Sequence, residues 1–293
     1  MTKATSSDLC HLGLETVDSD TTTGRHTLLN RILVVIPALA LLISVIWIHG
    51  LYIRVVTVVV GLLCINEMLN AVSRKACPIR FIGYLFAGLL YPSYVCLGGL
   101  TGAAILLTFC VMAVFTLLLI SGRNLMDGLL TILAMVYPGL FFGSIFGIVC
   151  LPSLQASRFL LIVVFSSAIL TDTFAYFGGI LFGRHKLIEA ISPKKTVEGA
   201  ITGTVLGTIG LTVVGILAQN MFGFHLYIWW YLPFGLLLSV LAQVGDLAAS
   251  LIKRSFGIKD FGRIMGPHGG VLDRLDSVLF IVPAVYAFYM MIL

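Results

Sequence analysis

Charge is what this 293-residue chain has least of. Asp, Glu, Lys and Arg make up 11% of it, against 59% hydrophobic residues and a mean hydropathy of +1.07. So little charge cannot keep a folded surface in water, which excludes a soluble domain and leaves a polytopic membrane protein. Alternating apolar and polar segments of about ten residues are also missing, and this argues against a transmembrane β-barrel. No Walker-type Gly-x-x-x-x-Gly-Lys-Ser/Thr loop and no Gly-x-Gly-x-x-Gly turn occurs, so any nucleotide must be held by another device. The six cysteines, Cys10, Cys64, Cys77, Cys96, Cys110 and Cys150, show neither metal-ligand nor redox spacing and read as packing residues. The first 31 residues are polar and Ser/Thr-rich, without a short apolar core and cleavage site, and are expected to form a cytoplasmic tail rather than a signal peptide.

What is there is a set of apolar runs, several reaching the ~20 residues that cross hydrocarbon as a helix. The fold class expected is all-α, with nine spans at 32–48, 51–69, 81–98, 101–120, 128–150, 159–182, 199–222, 227–252 and 277–293. The chain divides into the tail 1–31, an N-terminal helical part 32–158 and a C-terminal catalytic part 159–293 with two charged loops. Arg25 and Arg31 precede the first span, Arg74, Lys75 and Arg80 follow the second, and Arg123 follows the fourth. Arg184, Lys186, Lys194 and Lys195 follow the sixth, and Lys253, Arg254, Lys259, Arg263 and Arg274 follow the eighth, while the opposite connections hold little besides Arg158 and His225. The positive-inside rule then places the N-terminus and both charged loops in the cytoplasm. The formal net charge of +5 suits an anionic inner leaflet. Nucleic acid is not an expected partner, because the basic residues are mixed with carboxylates and lack an aromatic stacking platform. Gly199, Gly203 and Gly207 form a small-xxx-small ladder suited to close helix packing.

Two regions carry polar residues that hydrocarbon should exclude. In the first, Asp172, Tyr176 and Gly179 fall on one helix face, and an unpaired Asp at mid-membrane costs about 2.5–3.5 kcal/mol, so that face should point at a polar cavity. Ser192-Pro193-Lys194-Lys195-Thr196 adds two ammonium groups and hydroxyls just before the next helix, a place that attracts anions. Headgroup anchoring by Lys194 and Lys195 is the plainer reading.

In the second region Gln243, Asp246, Ser250 and Lys253 draw a polar stripe down one face, with Arg254, Lys259, Asp260 and Arg263 beyond it. After Gly266-Pro267-His268-Gly269-Gly270, Asp273 and Asp276 return on one face of the last helix with Arg274 between them. Carboxylates from two helices among cations suit Mg²⁺ with a polyphosphate, since Mg²⁺ takes one or two carboxylates plus phosphate oxygens and Lys and Arg take the surplus charge. A structural ion-pair network is the competing reading, and for His268 a simple hydrogen-bonding role.

Ser250-x-x-Lys253-Arg254, Lys259-Asp260 and His268-Gly269-Gly270-x-x-Asp273-Arg274-x-Asp276 resemble the signature of phosphatidate cytidylyltransferases, also called CDP-diacylglycerol synthases. Asp172-Thr173-x-Ala175-Tyr176 and Ser192-Pro193-Lys194-Lys195-Thr196-x-Glu198-Gly199 resemble that family too, as does Glu67 at the end of the second span. The family usually reads Leu-Pro-Gly-His at the turn, where this chain has Met265-Gly266-Pro267-His268. The resemblance implies a membrane enzyme that joins CTP and phosphatidate into CDP-diacylglycerol and pyrophosphate with Mg²⁺. It implies catalytic roles for Asp246, Asp273, Asp276, Lys253, Arg254, Lys259, Asp260, His268 and Arg274, with Asp246 and Asp273 on the metal. Substrate contacts are expected from Asp172, Tyr176, Ser192, Lys194, Lys195, Thr196, Ser250, Arg263, Gly269 and Gly270. Another CTP-using lipid enzyme, such as a polyprenol or phytol kinase or an ether-lipid cytidylyltransferase, stays open, and more distantly an ion-coupled transporter. The pattern favours a bacterial cell membrane and leaves a homodimer open.

Overall fold

The computed structural model describes residues 37, 40–223, 226–266 and 269–292. The expected tail, residues 32–36, 38 and 39 of the expected first span, and Pro267 and His268 therefore lie outside the described residues; 40–47 is helical. The elements that follow are α1 (Leu51–Val72), α2 (Arg80–Cys96), α3 (Leu100–Ser121), α4 (Leu125–Ala134), a π-helical turn (Met135–Leu140), α5 (Phe141–Val149), α6 (Leu154–Phe182), a hairpin of β1 (Lys186–Ile188) and β2 (Ser192–Thr196), α7 (Val197–Phe222), α8 (Ile228–Ser255) and α9 (Leu272–Ile292). Seven helices among the described residues are long and apolar enough to cross a membrane, and α4 through α5 count as one of them. The count of nine is not reached because α2, at 17 residues with Pro92 inside, is shorter than those seven, and the first span is described only in part.

Helix boundaries follow local chemistry. Asn124, Ser153 and Thr196 cap α4, α6 and α7, their side-chain oxygens accepting from the N–H of Met126, Ala156 and Gly199. Gly223 ends α7 with φ +70°, the left-handed conformation that glycine reaches without strain. Pro138 has no N–H to give and its ring crowds the preceding turn, so the helix widens to a π turn there before continuing as α5.

Successive spans run up and down, so α1, α3, α6 and α8 end where α2, α4, α7 and α9 begin. That shared end is called the site end below. Helix α9 sits centrally, against α8, α5, α6 and α1, and buries Val278, Leu279, Ile281, Val282 and Val285. Outward faces are apolar as well: Leu119, Ile120, Ile201 and Leu217 are exposed, as helices facing lipid require.

The tightest helix pair is α6 with α7, and the glycine ladder makes it. A Cβ at Gly199 would lie 2.7 Å from Ala175 O, one at Gly203 2.7 Å from Ala175 Cβ, and one at Gly207 2.8 Å from Thr171 Oγ1. Helices α8 and α9 meet as closely at Gly245, where a Cβ would stand 2.6 Å from Asp276 O. This contact fixes Asp246, the next residue, beside the start of α9. Overpacking such a contact costs about 1–3 kcal/mol. Gly203→Val should therefore lower the unfolding midpoint in detergent, whereas Gly88→Ala, with nothing within 4 Å, should leave it unchanged or raised.

Candidate active site

The site end gathers the C-terminal parts of α1, α6 and α8, the hairpin, the first turns of α7 and α9, and the loop between α8 and α9. That loop is folded around one carboxylate. Asp273 Oδ1 accepts from Lys253 Nζ at 2.8 Å, and Oδ2 accepts from the N–H groups of Phe261 and Gly270 at 2.8 and 2.9 Å. The side chains of Asp273 and Lys253 are 4% and 10% exposed, and Lys253 Nζ also lies 5.4 Å from the ring centre of Phe261. Gly269, at φ +84°, passes so near that a Cβ would stand 3.0 Å from Asp273 Oδ2.

A second carboxylate does the same from the N-terminal half. Glu67 is 2% exposed and accepts from Val271 N at 3.0 Å and Leu272 N at 2.8 Å, the free N–H groups where α9 begins. A Cβ at Gly262 or Gly270 would stand 2.2 or 2.4 Å from Glu67 Oε1, so glycine at both positions is the condition for this approach. Gly270, expected at the substrate, is thus shown packed on Glu67.

Asp246, midway along the site-end half of α8, pairs with Lys195 of β2; both side chains are about a quarter exposed. Asp172 Oδ2 accepts from Ser277 Oγ at 3.2 Å, and Asp276 Oδ1 accepts from Ser277 N at 2.8 Å. Asp172, Asp246 and Asp276 lie within electrostatic reach of one another, with Lys195 and Lys253 beside them. The expected stripe on α8 divides its labour: Gln243 Nε2 donates to Ala200 O and Thr204 Oγ1 of α7, Lys253 holds Asp273, and Asp246 faces the cluster. Ser250 is half-buried on the same helix.

The surrounding cations fall into two groups. Arg254 ties the hairpin turn to the loop, donating from Nε to Ile191 O and from Nη1 to Ile258 O. Lys194, Lys259 and Arg263 are exposed, as is Asp260, and no ion pair is formed by any of these four among the described residues. Arg274 is exposed at the start of α9.

Some expected residues are placed otherwise. Tyr176 follows Asp172 by one turn on the exposed side of α6, where Thr171, Ala175 and Gly178 take the side that packs on α7; it is 66% exposed and edge-on to Phe177 among exposed apolar side chains. Thr196 spends its hydroxyl on the α7 cap, and Ser192 pairs with Ile188 across the hairpin, a small sheet that the all-α expectation did not include. Glu198 holds the approach to that hairpin, accepting from the N–H groups of Arg184 and His185.

Two contributors come from the half that the sequence left almost blank. One is Glu67, signalled by a lone carboxylate in an apolar run. The other is Tyr137, in the π turn, which is 6% exposed with a hydroxyl that has no hydrogen-bond partner among the described residues. Its ring packs 6.4 Å from that of Phe280, one turn beyond Asp276, and it lies in the field of Asp276, Asp246 and Asp273. A Tyr-Pro pair inside a hydrophobic run was its only sequence signal.

Fold and site together define a polytopic helical membrane protein with a lysine- and carboxylate-lined site at one end of the bundle. The chain belongs to the cytidylyltransferase family, whose profile matches residues 29–292. A phosphatidate cytidylyltransferase of Staphylococcus saprophyticus is 31% identical over 257 residues, covering 86% of this chain and 95% of that protein. Those of Staphylococcus haemolyticus and Staphylococcus epidermidis are 48% and 46% identical over 114 residues, 39% of this chain and 42% of each relative.

Glu67→Ala would strand two buried N–H groups, each worth about 1–3 kcal/mol. The variant should unfold at a markedly lower temperature in detergent, and Glu67→Gln, which keeps one acceptor oxygen, should fall between it and the parent chain.

Proposed function

We propose that this chain is a phosphatidate cytidylyltransferase that transfers the cytidylyl group of CTP to phosphatidate, giving CDP-diacylglycerol and pyrophosphate, at the cytoplasmic face of a bacterial cell membrane. The observation that carries the reading is the Asp246 cluster. A carboxylate near membrane depth is held by Lys195, crowded by Asp172 and Asp276, and adjoined by a buried tyrosine hydroxyl without a hydrogen-bond partner among the described residues. The names of the staphylococcal relatives support the substrates.

No group of three or more His, Cys, Asp or Glu among the described residues forms a metal cage by itself. That suits Mg²⁺, which usually takes one or two carboxylates and completes its shell with water and phosphate oxygens. The donor set fits such an ion. Asp246 has an oxygen outside its lysine pair, and Asp273 Oδ1 accepts one hydrogen bond while a carboxylate oxygen has room for two. Asp246 and Asp273 would hold Mg²⁺, with Asp276 and Asp172 adding negative charge around them. Tyr137 Oη, facing the same carboxylates, suits a water of the ion's shell or a phosphate oxygen. Bound there, Mg²⁺ would neutralise phosphate charge as pyrophosphate leaves.

The residues' own tasks follow from charge. A phosphomonoester has its second pKa near ~6, so the lipid phosphate attacks as the dianion and needs no general base. The work is to bring two anions together. Lys194, Lys259 and Arg263, exposed at the site end, draw CTP and the lipid phosphate inward. Lys195 is placed to exchange Asp246 for a phosphate oxygen when the nucleotide arrives, while Lys253 holds Asp273 and keeps its loop closed. The acyl chains stay in lipid beside α6, where Asp172 is exposed next to apolar surface and the headgroup can reach the cluster.

Purified protein with [α-³²P]CTP, phosphatidate and Mg²⁺ should move label into the lipid fraction and release pyrophosphate. Asp246→Asn should cut that transfer by more than the roughly 10–100-fold typical of losing a group behind the metal ligands. Release of CDP instead of pyrophosphate would identify a kinase, and full turnover by Asp246→Asn would overturn the ligand assignment.

A further inference from the structure

Four buried side-chain nitrogen or oxygen atoms among the described residues lack a hydrogen-bond partner, and three of them lie together at the end of the bundle away from the site: His49 Nδ1, Arg54 Nε and Arg158 Nε. Each side chain is anchored through another of its nitrogens. His49 Nε2 stands 2.9 Å from Ser157 Oγ, Arg54 Nη1 donates to Tyr91 Oη at 3.3 Å, and Arg158 Nη2 donates to Trp47 O at 2.7 Å with its guanidinium 5.5 Å from the centre of the Trp47 ring. Ser157, which sets His49, is fully buried.

Nothing described at this end offers these groups a negative charge. The described Asp and Glu side chains all lie toward the site end, and the three described ion pairs are there as well. The field is correspondingly positive: burial, then Arg158 and Arg54, hold the His49 imidazole below the usual histidine range. Depth is marked by aromatics. All three tryptophans of the chain, Trp47, Trp229 and Trp230, are exposed at this end, as is Tyr227, which is where indole rings settle at a bilayer's headgroup level.

We propose that His49, Arg54 and Arg158 form a binding site for a phosphate group at the headgroup level of the leaflet opposite the active site. Two guanidiniums present planar donor forks that match phosphate oxygens, and the free Nε atoms are fork positions left open by the contacts to Tyr91 and Trp47. A phospholipid headgroup and free phosphate share this chemistry. The site is independent of CTP and of the reaction at the other end.

The test uses the delipidated protein and the variants Arg158→Gln and Arg54→Gln/Arg158→Gln, followed by thermal unfolding and native mass spectrometry. The probes are phosphatidylglycerol, diacylglycerol and inorganic phosphate, with turnover of CTP as the check that each variant is folded. Phosphatidylglycerol should bind and raise the unfolding temperature of the parent chain, diacylglycerol should not, and the double variant should bind phosphatidylglycerol at least ~10-fold more weakly. Arg158→Gln should fall between. An effect of inorganic phosphate that the double variant loses would also support the site and make the free anion its ligand. Equal binding of phosphatidylglycerol by parent and variants, or equal effects of phosphatidylglycerol and diacylglycerol, would overturn the proposal.

Discussion

Carboxylates placed where hydrocarbon gives way to water need countercharges, and at the site end two lysines supply them. Lys253 pairs with Asp273 in a nearly closed environment, and Lys195 pairs with Asp246 in a more open one. The difference in burial separates their roles. Removing one partner of a buried pair leaves an uncompensated charge, at a cost of about 3–5 kcal/mol, so the Asp273 pair is a fastening. It sets Phe261 and Gly270, shapes the loop between α8 and α9, and so determines where α9 starts. The Asp246 pair, a quarter exposed, can exchange its lysine for an arriving ligand.

Glu67 extends that fastening across the molecule. By taking the first N–H groups of α9, it binds the N-terminal half to the helix that carries Asp273 and Asp276. Tyr137 comes from the same half, through a π turn that Pro138 enforces. The N-terminal helices therefore reach the same end of the bundle as the carboxylates of α8 and α9, through Glu67 and Tyr137.

Much of the C-terminal half was legible because the bilayer makes polar residues conspicuous. Asp172, Asp246, Lys253, Asp273 and Asp276 stood out against apolar surroundings, and the glycine ladder on α7 announced the close packing on α6 that the structure shows. Periodicity gives the face but not what the face meets. Asp172 and Tyr176 are four residues apart and both exposed on α6, yet Asp172 reaches Ser277 of α9 while Tyr176 stands among exposed apolar side chains. Tyr137 was hidden for the opposite reason, since an aromatic residue in a hydrophobic run looks like core until its hydroxyl is seen without a partner. Arg158 read only as sparse charge on the quieter side, and the fold brings Arg54 and His49 to it.

On the proposed function, a divalent cation with its shell of water would be held by Asp246 and Asp273, within reach of Tyr137. The most direct measurement is a Mn²⁺ titration of the purified protein by electron paramagnetic resonance in the absence of nucleotide, comparing the parent chain with Tyr137→Phe. Loss of one group behind the metal ligands should weaken Mn²⁺ binding by roughly 10–100-fold, while the unfolding midpoint of the apo protein does not fall. Unchanged Mn²⁺ affinity in the folded variant would contradict the account.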